Sequence, residues 1–213
     1  MILFINPNSS AHMTESIVAA AREALPGVAI EGWTNAEGPV AIQGAEDGEA
    51  AVPGLLALLP AAKAAGARAI VIACFDDTGL AEARAAAHCP VIGIGQAGYH
   101  AATLFGARFA VLTTLAVSVP VIAGNIAAQG FAGACTEVRP SGYGVLAVEE
   151  GAPQVLADLR QGLAELGAAG AEAVVLGCAG MCTHHAALQE GMPVRVVDGV
   201  RAAARLAEAL AGL

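Results

Sequence analysis

The segment AAGARAIVIAC, from Ala64 to Cys74, is written a second time as AAGAEAVVLGC, from Ala168 to Cys178. Seven of the eleven positions are identical, and each copy ends on a cysteine. A short β-branched run that is apolar at successive positions reads as a buried parallel strand. Writing that strand twice restricts the chain to folds with two related halves. The context repeats as well: a helical stretch and a second strand follow each cysteine, PVIGIG from Pro90 and PVRVVD from Pro193. An apolar strand precedes each copy, ILFIN near the N-terminus and RFAVLTT before the second.

Between these strands lie alanine-rich helical segments at Met13–Leu25, Ala50–Ala65, Leu80–Ala87, Pro153–Gly167 and Val200–Leu210. Strands alternating with helices predict an α/β fold of two pseudo-symmetric doubly wound, flavodoxin-like domains with parallel sheets. The predicted halves are residues 1–96 plus 199–213 and residues 97–198, each last strand sending its helix across to the opposite half. Ligands of open α/β sheets bind at the carboxyl ends of the strands. Those ends carry Asn6–Ser9, Cys74–Asp77, Thr113–Thr114 and Cys178–Gly180. An active-site cleft between the domains is therefore expected.

The net charge is −9 and no basic run occurs, which excludes nucleic acid and anionic membrane as partners. Residues 109–136 carry no charge but are interrupted by Thr113, Thr114, Ser118, Pro120, Gly124 and Asn125, so they read as a strand, a loop and a helix rather than a membrane span. MILFINPNSS lacks the basic start of a signal peptide. Five cysteines, an odd number, do not make a disulfide framework. The expectation is a cytoplasmic protein with reduced thiols and a small-molecule ligand.

Three motifs point to other chemistry. GIGQAG, from Gly93 to Gly98, has dinucleotide-fingerprint spacing but lacks the acid expected about 20 residues on; it reads as a tight strand-to-helix turn. CAGMCTHH offers Cys178, Cys182 and His184 or His185 as zinc ligands, with a polar helix start as the alternative. The only lysine, Lys63, lies in a helix and away from any strand end, which disfavours a pyridoxal Schiff base. No cofactor is expected, and no metal site is assigned. Cys89 and Cys135 read as small buried hydrophobes.

Cys74 and Cys178 are different, because pseudo-symmetry places both thiols on one cleft from opposite sides. A thiolate can take a proton from carbon, and the opposite thiol can deliver one to the other face. That inverts a stereocentre beside a carbonyl, provided donors hold the developing negative charge. The candidate substrate-binding residues are Asn8, Ser9, Phe75, Asp76, Asp77, Thr113, Thr114, Ala179 and Gly180.

INPNSS with Met13–Thr14, CFDDTGL from Cys74, LTTLAVSVPVI from Leu112 and LGCAGM from Leu176 together resemble the aspartate/glutamate/hydantoin racemase superfamily, above all its hydantoin/allantoin branch. The resemblance spans nearly the whole chain. It implies cofactor-free proton transfer by Cys74 and Cys178, with Asn8 in the cleft, the loops after each cysteine holding a cyclic ureide, and a homo-oligomer. Glutamate racemases follow their first cysteine with Asn-Thr and the second with Thr-His; here Phe75-Asp76 and Ala179-Gly180 stand instead. The hydroxyl that would grip an α-carboxylate is missing, which favours a 5-substituted hydantoin or allantoin over a free amino acid. Hydantoin racemases usually read Cys-Phe-Gly-Asp-Pro-Gly, so Asp76 and Thr78 depart from the pattern. Asp76 reads either as a solvated turn residue or as a carboxylate facing the thiols. The alternatives to a ureide racemase are an aspartate/glutamate racemase, a maleate isomerase, a non-catalytic ureide-binding protein and a metalloprotein. The glycine- and acid-rich stretch Ala36–Glu49 is a candidate lid.

Overall fold

The computed structural model describes residues 1–212. Its first part runs β1 (Ile2–Asn6), α1 (Ala11–Ala24), β2 (Ile30–Thr34), α2 (Ala45–Ala57), α3 (Leu59–Ala64), β3 (Ala69–Ile72), α4 (Leu80–Ala86), β4 (Val91–Gly93) and α5 (Ile94–Phe105). The second runs β5 (Phe109–Thr113), a 3-10 turn (Ala116–Ser118), α6 (Val119–Ala128), β6 (Cys135–Pro140), α7 (Val145–Glu150), α8 (Pro153–Ala168), β7 (Ala173–Gly177), a second 3-10 turn (Ala179–His184), α9 (His185–Gln189), β8 (Arg195–Asp198) and α10 (Gly199–Ala211).

Two four-stranded parallel sheets result, ordered β2-β1-β3-β4 and β6-β5-β7-β8. The second order is the first shifted by four, as a duplicated strand plan requires. The copied segments are the equivalent strands β3 and β7, each beside the first strand of its half. These strands and their neighbours β1 and β5 are buried along their whole length. The edge strands β2 and β6 are half-exposed and carry Glu31, Glu137 and Arg139. Lacking continuous apolar runs, they have no clear strand signature.

Alternation along the strands sorts the side chains onto two faces. On the outer faces, Leu3, Ile5, Ile70 and Ile72 pack with Leu55, Leu59 and Ala83, while Leu112, Val174 and Leu176 pack with Leu159, Leu163 and Leu166 of α8. The inner faces share one core, in which Phe4 and Val71 of the first sheet join Phe109, Val111 and Val175 of the second.

Helices α5 and α10 complete that shared core. Helix α5 follows the first sheet but packs on β7 and β8, and α10 follows the second sheet but packs on β3 and β4. The two helices also pack on each other. A Cβ on Gly98 would stand 2.7 Å from Val175 Cγ1, and one on Gly199 would stand 2.3 Å from the Ile94 carbonyl, so both contacts depend on glycine. Among the described residues, no helix is long and apolar enough to cross a membrane.

Three sequence expectations change in detail. PVIGIG gives a strand of only three residues, and Ile94 already begins α5. The helix expected over Ala50–Ala65 starts earlier, at Ala45, and is interrupted at Leu58. Pro60 sits in the first turn of the new helix, where its missing N–H does no harm. The strands β2 and β6 join the six anticipated from apolar runs.

Candidate active site

Both thiols leave the carboxyl ends of their strands and enter one cleft. Cys74 follows β3 by two residues and Cys178 follows β7 directly. The cleft is lined by Asn8, Met13, Ile42, Cys74, Phe75, Asp76, Thr114, Ser118, Val145, Cys178 and Ala179, among others. Its free volume is about 20 Å³. One water needs roughly 10–15 Å³, so the cleft has room for little more than a water.

Each thiol meets similar partners. The backbone N–H of Asp76, two residues on, faces the sulfur of Cys74, and the N–H of Gly180, two residues on, faces that of Cys178. A second donor completes each set: the Thr78 hydroxyl donates to Cys74 Sγ at 3.4 Å, and the Met181 N–H faces Cys178. These donors favour the thiolates, yet burial outweighs them. Desolvation first, then the Asp76 carboxylate, push Cys74 far above the ordinary thiol value. Desolvation first, with help from Asp76 and Glu149, pushes Cys178 up to about 12. A charge on Cys178 also raises Cys74, so the thiols lie within electrostatic reach of each other.

The loop after β1 supplies Asn8. Its carboxamide oxygen accepts from Asn6 Nδ2 at 2.7 Å and from the Ser10 N–H at 2.9 Å. Asn6 also reaches Thr14 Oγ1, while Ser10 caps α1 by accepting from the Met13 N–H. With its oxygen engaged twice, Asn8 turns its amide nitrogen toward Met13 Sδ at 3.3 Å, a weak acceptor beside the cleft. Asn8 is thus held as a donor. Asn35 anchors the loop from behind, donating to the carbonyls of Pro7 and Ala51.

Thr113 and Thr114 divide their work. The Thr113 hydroxyl donates to the Gly177 carbonyl at 2.9 Å and pins β5 to β7. Thr114 lines the cleft. Ser118 joins it there, and among the described residues neither its hydroxyl nor that of Thr114 has a protein partner. Ser118 was legible only as part of the LTTLAVSVPVI motif.

The two neighbouring aspartates separate completely. Asp76 faces the cleft and raises both thiols; it is not a solvated turn residue. Burial first, and then Asp77 beside it, push its carboxyl up to about 7. Asp77 turns away. It adopts φ 49°, a left-handed conformation that Asp tolerates better than most residues. Its carboxylate accepts from the N–H groups of Gly95 and Gln96 at 2.9 Å and from Gln129 at 3.1 Å. Asp77, expected to bind substrate, is not among the residues lining the cleft; its oxygens cap α5. Glycines of GIGQAG make room for it, since a Cβ on Gly93 would sit 2.0 Å from Asp77 Oδ1. The amide groups that would cradle a phosphate in a dinucleotide site are occupied by this internal carboxylate.

Other predicted residues hold the walls. Phe75 and Ala179 line the cleft, and Phe75 packs edge-on against Tyr99. Ser9 is not in the lining; its N–H donates to the Pro39 carbonyl. Gly180 is buried where a Cβ would meet Glu149 Cβ at 3.0 Å, so it serves through its N–H. The Ala36–Glu49 stretch supplies Ile42 to the cleft, and Gln43 Oε1 accepts from the Val145 N–H of the second half at 3.1 Å. From Ala45 onward it is helix. The histidines after Cys178 are occupied elsewhere, His184 with the Glu149 carbonyl and His185 with that of Val196. Among the described residues no three acidic, Cys or His side chains are grouped to hold a metal.

The family model for Asp/Glu/hydantoin racemases matches residues 2–207. The chain belongs to this racemase family. A hydantoin racemase from Rhizobium meliloti is 44% identical over 99% of this chain and 88% of its own length. The solved allantoin racemase from Klebsiella pneumoniae shares 38% identity with a TM-score of 0.94, over 99% of this chain and 87% of that one. These relatives put the racemase in the hydantoin/allantoin branch that its motifs resemble. A glutamate racemase from Bacillus anthracis, at 18% identity and TM-score 0.74 over 98% of this chain and 80% of that one, shares the fold.

Proposed function

We propose that this racemase inverts the stereocentre of a 5-substituted hydantoin or allantoin, without a cofactor, by proton transfer between Cys74 and Cys178. The observation that carries the proposal is the placement of both thiols in one cleft, at equivalent strand ends, with matched N–H donors. C5 of such a ring bears a hydrogen beside a carbonyl. A thiolate on one face removes it, the electron pair moves onto the carbonyl oxygen, and the thiol on the other face returns a proton to C5. The reverse reaction exchanges the roles. Asn8, Thr114 and Ser118 supply donors for the developing oxyanion.

The hydantoin and allantoin racemases among the relatives support a cyclic ureide. Ala179 and Asp76 argue against free glutamate or aspartate: one offers no hydroxyl and the other sets a carboxylate where an α-carboxylate would need a donor. The narrow cleft requires an opening step, for which the Ile42–Gln43 segment is the candidate. The same reading places the protein in the cytoplasm, where its five free cysteines stay reduced.

A polarimetric screen of hydantoins, allantoin, aspartate and glutamate tests the proposal. Loss of optical rotation is expected with at least one ureide after dialysis against EDTA. Faster turnover of either amino acid than of every ureide would overturn it.

A further inference from the structure

Among the described residues, three buried side-chain atoms have no hydrogen-bond partner: Asp76 Oδ2, Tyr99 Oη and Gln129 Oε1. Of the three residues, only Asp76 lines the cleft. Its position is firmly set. Asn125 Nδ2 donates to its carbonyl at 2.7 Å, its own N–H faces Cys74, and the Gly44 N–H faces its carboxylate. One carboxylate oxygen is still left bare, on a residue that lines the same cleft as both thiols. Burying such an oxygen without a donor is costly, and a ligand that brings a donor removes that cost.

We propose that Asp76 is a specificity-determining residue whose open oxygen accepts a hydrogen bond from an N–H group on the 5-substituent of a cyclic ureide. The ring is common to every hydantoin, and the usual family pattern has glycine at this position, so the ring is handled without a side chain there. The substituent is what varies, and it branches from C5, the atom the thiols address. An aspartate reading it selects ureido, guanidino or ammonium groups and leaves a purely alkyl substituent facing an unmatched oxygen. This inference rests on the racemase reading above and names its substrate class.

The experiment compares kcat/KM for allantoin, 5-(3-guanidinopropyl)hydantoin and 5-isobutylhydantoin, each corrected for spontaneous racemisation, in wild type, Asp76→Gly and Asp76→Asn. The ratio of at least one donor-bearing substrate to the isobutyl one should exceed unity in wild type and fall about 10–100-fold in Asp76→Gly, the scale of a charge-assisted hydrogen bond. Asp76→Asn, which keeps an oxygen acceptor, should fall less. Which donor-bearing substrate loses more tells a ureido from a cationic preference. Ratios that stay unchanged in Asp76→Gly overturn the inference.

A second readout is free of turnover. 5-Methyl-5-ureidohydantoin and 5,5-dimethylhydantoin lack a C5 hydrogen, so their dissociation constants report binding alone. Their ratio should shift toward the dimethyl compound in Asp76→Gly, and no shift overturns the inference. Failure of wild type to racemise any ureide would instead overturn the underlying function, with this binding ratio still deciding the role of Asp76.

Discussion

The hydroxyl of Thr78 donates to the sulfur of Cys74 from four residues further along the chain, at 3.4 Å. Among the described residues no side-chain hydroxyl does this for Cys178, whose donors are the N–H groups of Gly180 and Met181. The two thiols are therefore symmetric in position and asymmetric in support. Thr78→Val should raise the Cys74 thiol further and lower kcat/KM roughly 3–10-fold, the scale of one hydrogen bond. The loss must be equal in both directions, because enantiomers interconvert with an equilibrium constant of one. Alkylation by iodoacetamide, followed by peptide mass, should show the Cys74 pH profile displaced upward and that of Cys178 unmoved. Equal displacement of both would deny that the hydroxyl acts on Cys74.

Cys74→Ser and Cys178→Ser should each abolish racemisation, since serine is far too weak an acid to replace the thiol. Each variant keeps one thiol, able to remove and return a proton on its own face. In heavy water, each should exchange the C5 hydrogen of one enantiomer only, and the two should prefer opposite enantiomers. Proton NMR on pure enantiomers with slow spontaneous exchange reads this out. Cys89→Ser, on the outer face of the first sheet, is the control. The same preference in both variants would place the thiols on one side of the substrate.

Because burial pushes both thiols up, with Cys178 near 12, the thiolate is scarce at neutral pH. The rate kcat/KM should climb as pH rises from 6 to 9, by as much as about tenfold per unit where a single deprotonation limits it. Ionised Asp76 raises both thiols, so in Asp76→Asn the rising limb should move to lower pH. A profile flat from pH 6 to 9 in wild type would rule out a raised thiol as the base.

Asp76 also bears on stability. Its carboxyl is raised from an ordinary value of 3.8 to about 7. A group raised on folding contributes stability below its unfolded value and loses it as pH rises through the folded one. Above pH 7 the fold therefore carries an ionised, incompletely partnered carboxylate. Asp76→Asn should melt higher than wild type at pH 8, by about 2–4 °C for each kcal/mol relieved, and the difference should close below pH 4. Calorimetry at the two pH values checks both parts.

Gln43 joins the segment over the cleft to the first turn of α7. Gln43→Ala removes that tie and should favour the open form, raising KM more than it lowers kcat while leaving the limb of the pH profile in place. A displaced limb would show instead that the loop tunes the thiols.

The strands that position the thiols were legible because they are buried on both faces and so are written as unbroken apolar runs. The cysteines stood out through the repeat rather than through their own surroundings. The edge strands β2 and β6 were not legible, because water on one side admits Glu31, Glu137 and Arg139. Asp76 and Asp77 look equivalent in sequence; a left-handed turn at Asp77 sends one carboxylate to α5 and leaves the other in the cleft. Ile42 reaches the site from a loop and Val145 from the first turn of the short helix α7, neither with a periodicity to betray it, and Ser118 lies in a turn rather than at a strand end.

The exchange of α5 and α10 between the sheets has a consequence for how the molecule is made. The helix that covers the inner face of β3 and β4 leaves the ribosome only after the whole second sheet. Until it arrives, Phe4, Val71 and Ile92 lack their neighbours Ala203, Ala204 and Ala207. At roughly 5–20 residues per second, the nascent first sheet waits several seconds with an oily face bare. Neither half can mature alone, so a stop codon shortly before residue 199 should yield an insoluble product rather than a working fragment.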